Sequence, residues 1–365
     1  MLQHFSVKGF RCFEDKLSFD LAANRDLAFR TDAIADGVVK TGVVLADSGS
    51  GKTMLGLALL DVSRYLTKNQ MLDAPIFGTP SELIEFTYLF KFGDQALSYE
   101  YGRTAYGELV YERIVIDGES YAEIDRRISG IASIMAAGAE SQNRDFSGSS
   151  LSIASYIDRN EPLDKTPANE CFMKFVSFVE GMLYFSASDV DSYMGFTKSD
   201  KDVGAAIVQY GLLDELLEFL QTCGLNYSLT EQSVGHHAFI GQSVGNQTLN
   251  FMDIASPGVR KLVTFFFWMK RTMATGRWHA SFIYIDDMDG LHHLASVASF
   301  ERAFKSSAQA LLATSSTSVL THPDARPDCC FVLGSGQISS FASRTKKELR
   351  QAHNLEKLHR GGAFD

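Results

Sequence analysis

Two clusters of this sequence carry residues suited to chemistry on a triphosphate. The first is a lysine and a threonine directly after a glycine-rich turn, Gly49-Ser50-Gly51-Lys52-Thr53; the second is a pair of adjacent carboxylates far downstream, Asp286-Asp287. Glycines let a backbone wrap around a polyphosphate, a lysine ammonium supplies a point charge to it, and a threonine hydroxyl can ligate Mg²⁺. An aspartate at the C-terminal end of a buried strand can be a second Mg²⁺ ligand, and a neighbouring carboxylate can activate water. Together these residues predict a nucleoside triphosphate site. A third stretch, Ser256-Pro257-Gly258, offers a hydroxyl and free amides at a helix start, a second anion-binding surface. Taken alone, such a stretch does no more than cap a helix.

The elements that must position these groups are readable around them. The apolar run Val43 to Leu45 predicts a strand, Ala46 to Gly51 a turn that includes Asp47 and Ser48, and Met54 to Tyr65 a helix extending to about Thr67. This strand, loop, helix order is the context a phosphate loop requires. The pattern G-x-x-x-x-G-K-[ST] is incomplete, because Ala46 stands where its first glycine belongs. A methyl group at a position needing φ > 0 would strain the loop, so either strain or a differently built loop is expected. Ser281-Phe282-Ile283-Tyr284-Ile285 is an apolar strand running into the two aspartates. The long interval between Lys52 and Asp286 requires a large insertion.

His4 to Leu21 alternates like a hairpin around Gly9-Phe10-Arg11-Cys12-Phe13. From Glu82 to Gly118, three strand-like runs bounded by Gly93-Asp94 and Asp117-Gly118 turns predict an antiparallel meander. Ile128 to Lys165 is Ser/Ala/Gly-rich and reads as loop or short helices. Asn169 to Tyr184 and Val203 to Cys223 have helical spacing, and strands resume at His237 to Ile240 and Thr248 to Phe251. Leu262 to Thr272 is helix-like, and Ala310 to Thr314 is a short strand running into serine and threonine.

Composition bounds the setting. In 365 residues, 45% are hydrophobic and 21% charged, which is globular. A net charge of -10 argues against wholesale coating of nucleic acid, although a local basic face is hidden in that sum. The five cysteines lack any C-x-x-C spacing, so neither a disulfide framework nor a zinc site is indicated. No signal-peptide pattern opens the chain, and the densest apolar run, Leu262 to Met269, is far short of the ~20 residues that span a bilayer. A soluble cytoplasmic protein without a membrane partner is expected.

In its order of motifs the chain resembles the SMC/RecF-like branch of ABC-type ATPases. The resemblance is closest to small AAA-type ATPases related to the overcoming-lysogenization-defect proteins and to abortive-infection systems such as Septu and PARIS. The motifs are Gly9-Phe10-Arg11-Cys12-Phe13 as the N-terminal "N-F-R-S-F" turn, Ala46 to Thr53 as the phosphate loop, and Ser256-Pro257-Gly258 as the signature. Asp286-Asp287-Met288-Asp289-Gly290-Leu291-His292 matches the "D-E-x-E-x-x-x-H" region, and Arg326-Pro327-Asp328, Cys330 to Leu333 and Asn354 to Leu358 match the closing strand and tail.

The resemblance implies an α/β fold: a P-loop ABC-type ATPase head with a mixed sheet, helices on both faces, an antiparallel β subdomain and a helical insertion. Its divisions would be residues 1–118 (phosphate loop and antiparallel subdomain), 119–236 (mainly helical insertion) and 237–365 (signature, acidic strand, closing strands and basic tail). It implies ATP and Mg²⁺ as cofactors, with Thr53 and Asp286 on the metal. Arg11, Asp47, Ser48, Gly49, Ser50, Gly51, Lys52 and Thr53 would hold nucleotide, and Ser256 and Gly258 of one head would close over the γ-phosphate held by a second. Asp287 and Lys52 would be catalytic, with Ser315 at the position of the family's switch histidine.

Asp287 also departs from the family glutamate by one methylene. A shortened general base and a switch residue without imidazolium charge predict slow hydrolysis. The implied protein is a homodimer or higher oligomer acting as a nucleotide-dependent switch in antiphage defence. Its implied partner is a separate effector or toxin protein, because the chain shows no nuclease signature of its own. DNA or a phage component is the alternative partner, through the insertion or the basic segment 344 to 360, and a non-hydrolysing scaffold is a further alternative. His292 and His293, beside the acids, are read as a solvated or packing pair.

Overall fold

The computed structural model describes residues 1–23, 25–66, 83–149, 151–160, 162–186, 193–194, 202–235, 237–273, 280–288, 308–321, 325–347, 349–351 and 353–364. The chain opens with the expected hairpin, β1 (Leu2–Lys8) and β2 (Leu17–Asp20), in antiparallel register. A small hairpin, β3 (Ile34–Ala35) and β4 (Val38–Val39), leads to β5 (Thr41–Leu45), the glycine-rich loop and helix α1 (Lys52–Leu59). The helix expected to run on is broken at Leu60-Asp61-Val62 and resumes as α2 (Ser63–Leu66); Thr67 lies outside the described residues.

Next come β6 (Ile84–Phe92), β7 (Gln95–Arg103), β8 (Leu109–Ile116), β9 (Glu119–Asp125) and β10 (Ser133–Ile134). With β1 and β2 they form one seven-stranded antiparallel sheet in the order β10-β9-β8-β7-β6-β1-β2. The meander therefore does not end at Gly118. Gly118 (φ 86°) only turns the chain into β9, which continues the pairing.

Residues 119–236, read as a mainly helical insertion, carry strands as well as helices, with β9 and β10 extending the meander into them. They contain helices α3 (Ile153–Arg159) and α4 (Pro167–Glu180), then β11 (Met182–Ser186) and β12 (Tyr193–Met194), helices α5 (Val203–Gln209) and α6 (Leu213–Thr222), and β13 (Leu229–Val234). Two expected helices are corrected here. Gly181 stops α4, and the β-type residues that follow it enter a sheet. Gly211, at φ 65°, separates α5 from α6.

The remaining elements are β14 (His237–Val244), β15 (Gln247–Asn250), α7 (Phe251–Ile254), α8 (Pro257–Met273), β16 (Phe282–Asp286), β17 (Gln309–Thr314), β18 (Cys330–Gly334), β19 (Gln337–Ser340) and α9 (Leu355–Arg360). Phe251, read as the end of a strand, opens α7, with Asn250 as its cap.

The second seven-stranded sheet, β12-β11-β16-β17-β5-β18-β19, is the frame of the site. Its five inner strands are parallel and its two edge strands antiparallel. Parallel strands are covered on both faces and so are apolar at successive positions. Phe282 to Asp286 are all buried, with Tyr284 packed in one core and Ile283 and Ile285 in the other. The first core fills the space toward the antiparallel sheet, α1 and α4; the second lies toward α5, α6 and α8. This is a mixed α/β fold with helices on both faces and an antiparallel subdomain.

Buried polar groups tie elements of the fold together, and one of them joins the two large sheets. Gln309 at the start of β17 accepts from the Leu2 amide (2.9 Å) and donates to the Leu2 and Val39 carbonyls (both 2.8 Å). Glu112 on β8 accepts from Tyr99 (2.9 Å), Ser152 (2.7 Å) and the amides of Ile153 (2.8 Å) and Ala154 (3.1 Å), so it closes the N-terminus of α3.

Helix α1 reaches the central sheet at Gly56. A Cβ there would lie 2.5 Å from Tyr284 Cδ1 and 2.9 Å from Tyr184 Cδ2. Alanine would add about 1 kcal/mol of helix propensity. Overpacking against two ring bodies buried in the core costs about 1–3 kcal/mol. Gly56→Ala is therefore expected to lower stability, read as a fall in the denaturation midpoint at unchanged m-value.

Candidate nucleotide site

The site lies at the C-terminal edge of the parallel strands, where β5, β16 and β17 release their chains. Residues Ala46 to Gly51 form a turn between β5 and α1, and its left-handed backbone falls on Gly49 (φ 83°) and Gly51 (φ 99°). Ala46 is outside that region and buries its methyl in the core. The strain anticipated at Ala46 is thus absent, because the loop turns at the two glycines that remain. Gly51 is needed twice over: a Cβ would also meet Cys12 Sγ at 3.1 Å and Phe13 Cζ at 3.3 Å.

Lys52 Nζ donates to the carbonyls of Ala46 (2.7 Å) and Asp47 (3.1 Å), which stretches its side chain across the loop. The Thr53 hydroxyl donates to Asp286 Oδ2 at 2.5 Å. This bond joins residues read from two remote motifs. The Tyr184 hydroxyl donates to the same oxygen at 3.1 Å, and Tyr284 donates to the Lys52 carbonyl at 2.7 Å. Burial pushes the Asp286 carboxyl above the usual carboxylate range, while its bonds to Thr53 and Tyr184 act in the opposite sense.

These groups border a cleft of about 470 Å³ whose lining includes Ser48, Gly49, Gly51, Lys52, Thr53, Asp286 and Asp287. Cys12, Met54, Tyr184 and Ser186 complete it. Asp287 is half-buried and has left-handed backbone (φ 53°), a conformation aspartate tolerates better than most residues. Asp47 and Ser50 belong to the loop but do not line the cleft.

The turn carrying Arg11 packs on the same loop. Arg11 has φ 53°, donates from Nη1 to Met54 Sδ at 2.9 Å, and lies over the Phe10 ring at 5.5 Å. It is therefore beside the first turn of α1 without lining the cleft.

Ser315 follows the last residue of β17, next to the strand that feeds the glycine-rich loop; the Ala46 amide donates to the Thr314 carbonyl at 3.2 Å. Ser315 is exposed.

Ser256 and Gly258 are placed differently. Both are exposed at the start of α8, the Ser256 hydroxyl accepts from the Val259 amide at 3.4 Å, and neither lines the cleft. The start of α8 is thus not part of the cleft that Lys52 lines. His292, His293 and the stretch from Asp289 lie outside the described residues.

The donors fit Mg²⁺. Asp286 Oδ1 is buried with no hydrogen-bond partner, beside a hydroxyl, and a carboxylate plus a hydroxyl is the hard-oxygen set this cation takes when phosphates supply the rest. Among the described residues no group of three or more His, Cys, Asp or Glu could hold a metal without such help.

No protein-family model matches the chain, and no curated protein matches it in sequence. In fold the chain is similar to the SMC head domain from Thermotoga maritima, at 12% identity over 93% of this chain and 97% of that one, with a TM-score of 0.42. It is also similar to the recombination mediator protein RecF of the RecFOR pathway. The structure with ATPrS gives 12% identity over 93% and 98% of the two chains and a TM-score of 0.42. The structure with ATP gives 11% identity over 93% and 97% and a TM-score of 0.40. These likenesses concern the fold.

Tyr184 and Ser186 were not found by sequence reasoning. Both lie on β11, whose parallel register sets Ser186 opposite Asp286. The signal was present in Met182-Leu183-Tyr184-Phe185-Ser186, an apolar run after a glycine that ends in a hydroxyl, the same form as the run ending at Asp286. Among the described residues, no helix is long and apolar enough to cross a membrane.

Proposed function

We propose that this protein is an ABC-type ATPase that binds ATP with Mg²⁺, hydrolyses it slowly, and dimerises through its heads when ATP is bound. The observation that carries this reading is the 2.5 Å bond from Thr53 to Asp286, which sets the phosphate-loop hydroxyl against a buried carboxylate at the ends of parallel strands. Glycine amides and Lys52 would grip the phosphates, and Thr53 and Asp286 would hold Mg²⁺. The cation would supply charge neutralisation at the β- and γ-phosphates. Asp287 would take a proton from the attacking water, and Ser315 would hydrogen-bond the γ-phosphate. The exposure of Ser256 and Gly258, away from the Lys52 cleft, supports a site completed by a second copy.

The finer reading, a sensor or scaffold in bacterial antiphage defence that controls a separate effector, draws on the motif resemblance. The experiment is mass measurement with and without Mg·ATP. Wild type is expected to dimerise with ATP. Lys52→Ala is expected to stay monomeric, because losing a charge-assisted bond costs about 1.5–3 kcal/mol, or roughly 10- to 150-fold in affinity. An oligomeric state indifferent to nucleotide would count against the reading. Co-purification of neighbouring gene products tests the effector.

A further inference from the structure

We propose that Tyr184 is a positioning residue for Mg²⁺: its hydroxyl fixes the Asp286 carboxylate so that Oδ1 is reserved for the cation. The inference rests on the nucleotide reading above and extends it to a residue outside every motif. Asp286 is only 3% exposed, and its two oxygens are in unlike surroundings. Oδ2 accepts from both Thr53 (2.5 Å) and Tyr184 (3.1 Å), whereas Oδ1 has no hydrogen-bond partner. A carboxylate anchored at one oxygen by two donors cannot rotate without breaking both bonds, so the free oxygen is held in one place. Groups that orient a metal ligand from behind in this way commonly set metal affinity.

The tyrosine is itself immobilised. Its ring is 1% exposed and stacks on Tyr284, with centroids 6.0 Å apart and planes 13° apart. Tyr284 in turn donates to the Lys52 carbonyl, so one aromatic pair holds both the metal-binding strand and the first turn of the phosphate helix. Phenylalanine at 184 would keep the ring and remove only the donor.

The test titrates Mg²⁺ against binding of a fluorescent ATP analogue, for wild type, Tyr184→Phe, Asp286→Asn and the double variant, with melting curves for each. Tyr184→Phe is expected to raise the Mg²⁺ concentration for half-maximal binding by about 10-fold or more, with binding in EDTA unchanged. Adding Tyr184→Phe to Asp286→Asn should shift the Mg²⁺ requirement no further, the result expected when the tyrosine sets Mg²⁺ affinity through that carboxylate. An unshifted Tyr184→Phe, or an equal shift in the Asp286→Asn background, overturns the proposal while leaving the nucleotide reading intact. Wild type that binds no analogue at any Mg²⁺ concentration removes both.

Discussion

Asp287→Asn is expected to slow ATP turnover by about 10²- to 10⁴-fold, the range contributed by a positioned general base, while ATP affinity and ATP-driven dimerisation persist. Asp287 lines the cleft beside Asp286, yet its side chain takes no part in the hydrogen bonds from Thr53 and Tyr184 to Asp286. Asparagine has the same shape, tolerates the same left-handed backbone, and cannot accept a proton from water. Single-turnover hydrolysis alongside equilibrium binding separates the two effects. A variant that hydrolyses at the wild-type rate would remove Asp287 from the chemistry. A wild type without turnover would favour the non-hydrolysing scaffold.

The largest effect on stability is expected from Asp61→Ala. Asp61 occupies the break between α1 and α2 and is 1% exposed. Its oxygens accept from Arg103 Nε and Nη2 and from the Tyr101 hydroxyl, each at 2.9 Å, and from Arg64 Nε at 3.2 Å. Removing the carboxylate leaves the Arg103 guanidinium, also 1% exposed, without its counter-charge in the core. Stranding one partner of a buried ion pair costs about 3–5 kcal/mol, against a total stability on the order of 5–15 kcal/mol. Chemical denaturation should show that loss. Pairing the change with Arg103→Met should recover part of it, because the stranded charge, rather than the missing contact, accounts for most of the cost.

The candidate site was legible because its residues fall in two contiguous stretches: Gly49 to Thr53 follows a strand and opens a helix, and Asp286 ends an unbroken apolar run. Their 2.5 Å meeting follows from the parallel order β16-β17-β5, an order that apolar runs alone do not specify. Elements failed where a boundary depended on one residue. Gly181 and Gly211 each end a helix inside a stretch whose apolar spacing continues, so periodicity alone ran past them.

Strand β13 was missed for a different reason. Thr230, Glu231, Ser233 and Val234 are exposed, and a strand that buries so little has no alternation to read. Tyr184 escaped because a tyrosine within an apolar run reads as core; its hydroxyl matters only through a neighbour brought beside it by the sheet.

The cysteines have a practical consequence. Cys171, Cys329 and Cys330 are buried and Cys223 is half-buried, and burial pushes the Cys330 thiol up to about 12, whereas Cys12 is exposed at the edge of the cleft, against the glycine-rich loop. With the half-buried Cys223 replaced by serine, a fluorophore delivered by maleimide would thus settle chiefly at the mouth of the cavity, giving an optical gauge of ligand arrival.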